Sequence, residues 1–248
     1  MMQQTDIQEI NKTGEETLSI LNEAEKFNKW IYVTINPFCK GHVMEIGSGL
    51  GNISRFFLND DYQIMLTDLR QVYCDKLHDK FKSYSNLLGV ENVDLIDSDF
   101  DMKYKTFFDS FDSVFAINVI EHINDDNLAI RNCYKLIRKG GNLIIMVPSY
   151  QVLYNDFDKS LGHYKRYTIK SISSILLNHN FCIIHKQYFN FIGLIGWFIS
   201  GSIQKNKSIP KKQMRLYNRF VPVFKLVDKL IFKSWGLSSI VVGEKINE

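Results

Sequence analysis

From His42 onward, short apolar runs that end in small or acidic residues alternate with stretches of helical apolar periodicity. This alternation is typical of repeated β-α units, which build a mostly parallel sheet with helices on both faces. The runs that qualify as strands are residues 42–47, 62–68, 92–99, 113–119, 142–148, 181–189 and 238–246. The pattern therefore predicts a doubly wound, Rossmann-like α/β domain.

The chain of 248 residues is long enough for one such domain with a sizeable core. We place it at residues 38–248, preceded by an N-terminal helical arm over residues 1–37. Apolar residues at helical spacing predict one helix over 6–36 that ends near Pro37.

Two further helices carry clear boundary signals. Ile130, Cys133 and Ile137 lie on one apolar stripe, and Gly140-Gly141 is expected to end that helix. Thr168 is a plausible N-cap for the next helix.

Two segments depart from the plain alternation. Residues 149–167 form a connection of nineteen residues, which is too long for a simple turn and predicts an active-site loop. Residues 190–236 predict a helical lid or insertion before the last strand. Its second helix is expected to be amphipathic, with an apolar face opposite lysines and arginines; that face holds Leu216, Phe220, Val223, Phe224, Val227, Leu230 and Ile231.

The charge of the chain is concentrated in this insertion. The whole chain carries 30 basic and 27 acidic residues, whereas residues 203–234 hold nine lysines and arginines against the single acid Asp228. A basic amphipathic helix favours an anionic surface or substrate. Segment 190–233 is therefore a candidate for peripheral membrane contact or for a homodimer interface.

The cysteines and the apolar stretches bear on location and metal content. Four cysteines lie far apart, without a C-x-x-C pair or histidines at metal-ligand spacing, so we expect reduced core thiols and no metal; they are Cys39, Cys74, Cys133 and Cys182. The N-terminal residues do not read as a signal peptide, and the apolar stretch 188–204 is shorter than the ~20 residues of a spanning helix. These features predict a cytoplasmic protein, with a peripheral membrane location if the basic insertion binds lipid.

A glycine-rich turn follows the first strand. The strand ends at Glu45-Ile46, the turn reads Gly47-Ser48-Gly49-Leu50-Gly51-Asn52, and a helix follows. Glycines permit a tight turn and the close approach of a ligand, next to the free N–H groups of the helix N-terminus. The dinucleotide fingerprint G-x-G-x-x-G fits badly, since Asn52 stands where the third glycine belongs.

Acids at the following strand ends strengthen the case for a nucleoside ligand. Asp68 ends the second predicted strand, 23 residues after Glu45, and suits a ribose diol. Asp99 ends the third, and with Phe100 beside it suits an adenine amine and ring. The three acids are expected to line one crevice at the carboxyl ends of the strands.

With Glu45–Gly51, Asp68, Asp99 and the stretch Asn118-Val119-Ile120-Glu121-His122, the chain resembles the class I S-adenosylmethionine-dependent methyltransferases over about residues 28–248. It looks closest to the small-molecule branch with the ubiquinone-type O-methyltransferases. The segment that reads Leu161-Gly162-His163-Tyr164-Lys165-Arg166-Tyr167 is similar to a type 11/12-like bacterial subgroup. The resemblance implies seven strands in the order 3-2-1-4-5-7-6, with the last strand antiparallel.

The resemblance also implies a cofactor and site residues. S-adenosyl-L-methionine would be bound without a metal and released as S-adenosyl-L-homocysteine. The cofactor residues would be Glu45, Gly47, Ser48, Gly49, Gly51, Asp68, Leu69, Asp99, Phe100 and Asn118. Glu45 would help place the ammonium group through water, and Asn118 would border the methyl-transfer site. Trp30 and Tyr32 in the arm more readily pack than bind, although they could cover the methionine end.

Methyl transfer from a sulfonium is an in-line displacement that depends mainly on positioning in a dry site. A base is needed only when the nucleophile is protonated at neutral pH, as a hydroxyl is. Candidates for the catalytic groups are His122, His163 and Tyr167, with capping and loop packing as the structural alternatives. The favoured acceptor is a hydroxyl of a small, lipid-like or anionic molecule.

Two other functions stay open at this point. A nucleic-acid methyltransferase would use the basic band, but it is disfavoured because the fourth-strand stretch lacks an N-P-P-Y-like pattern and no RNA-binding module is present. A non-catalytic S-adenosylmethionine-binding partner protein is the other alternative.

Overall fold

The computed structural model describes residues 4–203 and 210–246. These contain one seven-stranded sheet in the order β3-β2-β1-β4-β5-β7-β6. The strands are β1 Val43–Ile46, β2 Ile64–Asp68, β3 Leu87–Asn92, β4 Phe111–Ile117, β5 Ile137–Pro148, β6 Phe181–Phe189 and β7 Ser238–Lys245. Strands β1 to β5 pair in parallel, and β7 is antiparallel to both β5 and β6. The predicted strand order and the antiparallel last strand are confirmed.

Helices cover both faces of the sheet, and residues of the strands and helices together form two buried apolar clusters. The helices are α1 Gln4–Asn22, α2 Glu25–Ile35, α3 Ser54–Asn59, α4 Gln71–Phe81, α5 Phe100–Lys103, α6 Asp126–Leu136, α7 Asp156–Ser160, α8 Ile169–Asn178, α9 Phe191–Trp197 and α10 Lys211–Leu230. Within the described ranges, no helix is both long and apolar enough to cross a membrane.

The prediction of a single N-terminal helix over 6–36 is wrong. The chain leaves helical geometry at Ala24 (φ −88°, ψ 62°), and the side-chain amide of Asn28 donates 2.7 Å to the carbonyl of Leu21. This bond satisfies one of the carbonyls that a helix end leaves free. The second helix, α2, then packs Trp30 and Tyr32 into the core. These two rings are therefore buried packing residues and do not cover the methionine end of the crevice.

The predicted bounds of the third strand are also wrong. Strand β3 spans Leu87–Asn92 at the sheet edge, where its side chains are half-buried or exposed and the apolar signal is weak. Residues 93–99 fold instead into turns, because Asp94 accepts 2.9 Å from the Ile96 amide and Asp97 accepts 2.8 Å from the Asp99 amide. Asp99 consequently lies at the N-cap position of α5 instead of at a strand end.

The boundary between α6 and β5 lies earlier than predicted. The apolar stripe is confirmed through Ile130 and Cys133, which are fully buried, but α6 ends at Leu136 and β5 begins at Ile137. Gly140-Gly141 therefore lies inside β5 and does not end the helix. Thr168 is confirmed as the N-cap of α8, since its hydroxyl accepts 3.1 Å from the Ser171 amide.

The insertion before β7 holds α9, a π-helical turn at Phe198–Ile203, and α10. Buried Asp228 of α10 accepts hydrogen bonds from the Asn190 and Phe191 amides at 2.6 and 2.9 Å, which fixes the start of α9. The predicted apolar face of α10 is only partly buried, a correction to the simple amphipathic picture. Leu216 and Leu230 are 60% and 67% exposed. The helix packs instead through Met214, Tyr217, Val221 and Phe224.

The cysteines divide between core and surface. Cys39, Cys74 and Cys133 are buried, as expected of core thiols, whereas Cys182 on β6 is exposed. All four are free. The exposed position of Cys182 corrects the expectation that every thiol lies in the core.

Candidate cofactor and acceptor site

The glycine-rich turn after β1 depends on glycine at two close contacts. Gly47 has φ 71°, and a Cβ there would lie 2.5 Å from Cγ2 of Val119. Gly51 has φ 72°, and its Cβ would lie 2.4 Å from the ring of Phe81. Any side chain at these positions would be strained and would clash. The turn is thereby packed directly against α4 and against the segment that follows β4.

Glu45 lies at the base of this turn and is buried. Its carboxylate accepts a hydrogen bond from the Ser54 hydroxyl, and the Ser48 hydroxyl accepts 3.2 Å from the Thr67 amide. Burial raises the pKa of Glu45 to about 7, against the lowering effect of the Ser54 and Ser48 hydrogen bonds. A cationic ligand group nearby would favour the ionised carboxylate.

Asp68 at the end of β2 is 7% exposed and joins the turn to the second strand. Its Oδ2 accepts 2.9 Å from the Gly49 amide, and its Oδ1 accepts 2.9 Å from the Arg70 amide. The carboxylate therefore holds the shape of the glycine-rich turn, and each oxygen retains a further lone pair. The next residue, Leu69, is exposed, as expected for a residue at an open crevice.

The two residues predicted to bind adenine, Asp99 and Phe100, differ in their exposure to solvent. Asp99 is exposed and begins α5, whereas Phe100 is 2% exposed and lies in the core with Tyr104 at 4.8 Å between ring centroids. Phe100 is thus a packing residue, and its ring is not open for stacking. The prediction that Phe100 faces an adenine is not consistent with this burial.

Asn118 follows β4 in a left-handed backbone conformation, with φ 54°. Its amide donates 2.8 Å to the Met146 carbonyl, and its side chain is exposed. Because Val119 touches Gly47, Asn118 stands at the mouth of the same crevice as the glycine-rich turn.

His122 and His163 meet although they are far apart in sequence. Their ring centroids are 4.7 Å apart and nearly perpendicular. Loop 149–167 brings His163 to this position, and the Tyr164 amide donates 2.8 Å to the Glu121 carbonyl. Desolvation, together with the charges of His163 and Arg70, lowers the pKa of His122.

A buried ion pair supports His163. The Nδ1 atom of His163 lies 2.8 Å from Oδ1 of Asp158, and Nε of Arg166 donates 2.9 Å to the same oxygen. Arg166 also lies over the ring of Trp197 at 4.4 Å. Burial alone would raise the pKa of Asp158, but its bonds to His163 and Arg166 lower it. The loop therefore has a rigid, charged interior.

Tyr167 lies beside the segment after β4, where its hydroxyl is 3.4 Å from the carbonyl oxygen of Ile120. It is buried, and its hydroxyl donates 2.9 Å to Oδ2 of Asp126, which also pairs with Lys165 at 2.7 Å. Burial raises the pKa of Tyr167 above its ordinary value. These contacts give Tyr167 a role in docking the loop.

Two features of the site were not predicted from the sequence. Glu121 is 1% exposed, and neither of its carboxylate oxygens has a hydrogen-bond partner. Burial raises its pKa to about 8. In the sequence, this buried carboxylate could have been recognised as an acidic residue inside the apolar stretch after β4. In addition, Leu18 of α1 covers Gly49, with its methyl groups 3.4–3.5 Å from the Cβ position.

Comparison with known proteins agrees with this arrangement. A family model described as a methyltransferase domain matches residues 44–143. The reducing polyketide synthase Preu2 of Preussia isomera is 30% identical over 111 residues, which cover 44% of this chain and 5% of the synthase. The chain thus spans less than a tenth of the length of the curated relatives it matches.

Two solved structures extend the likeness to the whole fold. Phosphoethanolamine N-methyltransferase 2 of Haemonchus contortus, in complex with S-adenosyl-L-methionine, superposes with a TM-score of 0.61 at 17% identity, over 89% of this chain and 52% of that one. A SAM-dependent methyltransferase of Archaeoglobus fulgidus gives a TM-score of 0.57 at 13% identity, over 88% and 94%. With its strand order and its glycine-rich turn, the chain has the Rossmann-like fold of the class I S-adenosylmethionine-dependent methyltransferases, and its residues 44–143 match the methyltransferase-domain family.

Proposed function

We propose that the protein transfers a methyl group from S-adenosyl-L-methionine to a small-molecule acceptor, with a hydroxyl oxygen as the favoured acceptor atom. The observation that supports this is the contact between Gly47 and Val119, which joins the cofactor turn to the segment that carries Asn118 and His122. Cofactor groups and polar acceptor groups thereby share one crevice.

On the cofactor side, Asp68 and the exposed Leu69 would border the ribose, and Glu45 would attract the methionine ammonium through water. The remaining predicted cofactor residues are Gly47, Ser48, Gly49, Gly51, Asp99 and Asn118.

On the acceptor side, His122 and His163 contact each other beside the segment that follows β4. A neutral imidazole could accept the proton of a hydroxyl while the oxygen attacks the methyl carbon. Most of the acceleration would come from holding the two reactants in line in a dry site. Tyr167 is left out of this assignment because its hydroxyl is bonded to Asp126.

Isothermal titration with S-adenosyl-L-homocysteine tests the cofactor assignment. Asp68→Ala should lower the affinity at least about tenfold, because it removes the acceptor that shapes the Gly49 backbone. Asp79→Ala is the matched control, since Asp79 is an exposed acid on α4 that pairs with Lys82. Equal affinities of both variants and the unaltered chain would contradict the assignment.

Release of S-adenosyl-L-homocysteine tests turnover. The chain would be incubated with labelled S-adenosyl-L-methionine and panels of phenols, anionic alcohols, amines and activated methylene compounds. The proposal expects label on oxygen, whereas label on carbon or nitrogen would keep methyl transfer and overturn the hydroxyl assignment. Cofactor binding without turnover on any panel, and without turnover in a cell extract, would favour the non-catalytic alternative.

We further propose that the insertion contacts an anionic membrane surface from the cytoplasmic side. Support comes from α10, where exposed Leu216, Val223 and Leu230 stand among lysines and arginines. Apolar side chains next to basic ones bind the boundary between headgroups and acyl chains of anionic lipids.

Sedimentation with vesicles tests this contact. Binding is expected to vesicles with about a third phosphatidylserine and not to neutral vesicles, and to fall strongly in Leu216→Ser/Leu230→Ser. The control is Leu177→Ser, which alters an exposed leucine on α8. No sedimentation combined with a dimer mass in light scattering would replace the membrane proposal by a homodimer.

A further inference from the structure

Three potential metal ligands converge beside the glycine-rich turn. Glu121, His122 and His163 each offer a ligand atom, and these atoms all lie within 4.8 Å of one another. Metal–ligand bonds of about 2.0–2.2 Å require ligand atoms about 3–4 Å apart, so small side-chain rotations would complete such a site.

Glu121 is the member that most needs a partner. Its carboxylate is buried, and neither oxygen forms a hydrogen bond in the structure. Its backbone carbonyl is fixed by the Tyr164 amide at 2.8 Å. A buried carboxylate without a partner is unfavourable unless a cation or a proton compensates it.

His163 is oriented as metal-bound histidines are. Because Asp158 is held by Arg166 and by the Asn155 amide at 3.0 Å, its Oδ1 acts as an acceptor and Nδ1 of His163 carries the proton. The lone pair then resides on Nε2 of His163. A carboxylate behind a histidine in this way fixes the tautomer and makes the free nitrogen a better ligand.

His122 completes the set from the other side. Its ring contacts that of His163 nearly at right angles, so loop 149–167, which carries His163, confines both imidazoles.

We propose that Glu121, His122 and His163 bind a divalent transition-metal cation, with Asp158 and Arg166 positioning His163. Two imidazoles and one carboxylate suit zinc, manganese or iron(II) better than magnesium or calcium, which prefer oxygen ligands alone. This proposal replaces the expectation of a metal-free site. The three ligands leave coordination positions for an acceptor oxygen, whose pKa a bound cation would lower so that its proton passes to solvent. With metal bound, this loss of the proton to solvent would replace the imidazole base, because both imidazole lone pairs would then be on the cation. That role rests on the proposed methyl transfer, whereas metal binding itself does not.

The test uses the full chain after dialysis against a chelator. Titration with zinc or manganese chloride is expected to give one equivalent per chain, and the cobalt(II) form is expected to show a visible absorption band of a nitrogen- and oxygen-ligated ion. Glu121→Gln and His163→Ala should each lower the affinity at least about tenfold. His78→Ala, which alters an exposed histidine on α4, should bind like the unaltered chain.

Thermal unfolding keeps the proposal testable if a variant is unstable. At one metal concentration, the metal should raise the melting temperature of the unaltered chain more than that of Glu121→Gln, because the variant binds it more weakly. Absence of stoichiometric binding by the unaltered chain, or equal binding by Glu121→Gln, would overturn the proposal. Titration with S-adenosyl-L-homocysteine under the same conditions separates failure of the metal site from failure of the cofactor site.

Discussion

Val119 lies so close to Gly47 that a Cβ on the glycine would stand 2.5 Å from the valine Cγ2 atom. This contact joins the turn after β1 to the segment after β4. It is the reason that the two halves of the crevice form one site.

The contact predicts the effect of Gly47→Ala. The substitution would introduce a side chain at φ 71° and a clash with Val119, so the free energy of unfolding should fall by about 1–3 kcal/mol. Denaturant titration checks the value. Gly196→Ala in α9 is the control, since open space surrounds that position and the change should stay within about 0.5 kcal/mol.

Glu45 predicts a pH-dependent stability. Its pKa is raised to about 7 in the folded chain from 4.5, so its contribution is complete below pH 4.5 and is lost as pH rises through about 7. The free energy of unfolding should therefore decline by about 2–3 kcal/mol over this range. Glu45→Gln should make the total decline smaller by this amount and leave the part due to Glu121, whose pKa is raised to about 8. Glu91→Gln, at an exposed position, should keep the whole decline. A decline of equal size in Glu45→Gln would assign the effect to another group.

The contacts of Arg166 predict a large loss of stability when its side chain is removed. Arg166→Ala would leave buried Asp158 without its guanidinium partner, bonded only to the His163 imidazole and to the Asn155 amide. It would also remove the cation that lies over the Trp197 ring. The expected loss in the free energy of unfolding is about 3 kcal/mol, with faster proteolysis of loop 149–167. Lys159→Ala, which breaks only an exposed pair with Asp156, should change neither value measurably.

The hydrogen bond of Tyr167 predicts that substitution of this residue lowers the free energy of unfolding and leaves kcat nearly unchanged. Tyr167→Phe removes the 2.9 Å hydrogen bond to Asp126, which keeps its pairing with Lys165. The free energy of unfolding should fall by about 1 kcal/mol, and kcat should stay within about twofold. A decrease in kcat of a hundredfold or more, with an unchanged melting temperature, would restore Tyr167 to the reacting groups.

Much of this protein follows from its sequence alone. The alternation of apolar runs and helical stripes determined the parallel sheet, because strand and helix periods are local properties of the chain. The glycine-rich turn was also determined locally, since Gly47 and Gly51 adopt backbone angles that other residues avoid. The last strand was also predicted from its apolar pattern, whereas the strand order and its antiparallel direction came from the family resemblance.

The tertiary structure decided what periodicity does not encode. Edge strand β3 has little buried surface, so its bounds could not be located from apolar residues. The roles of Phe100 and Tyr167 depended on which side of the sheet and loop they face. Above all, Glu121-His122 and His163 are separated by about forty residues and meet only because loop 149–167 docks on the segment after β4. Contacts between distant segments are set by packing, and packing is a property of the whole fold.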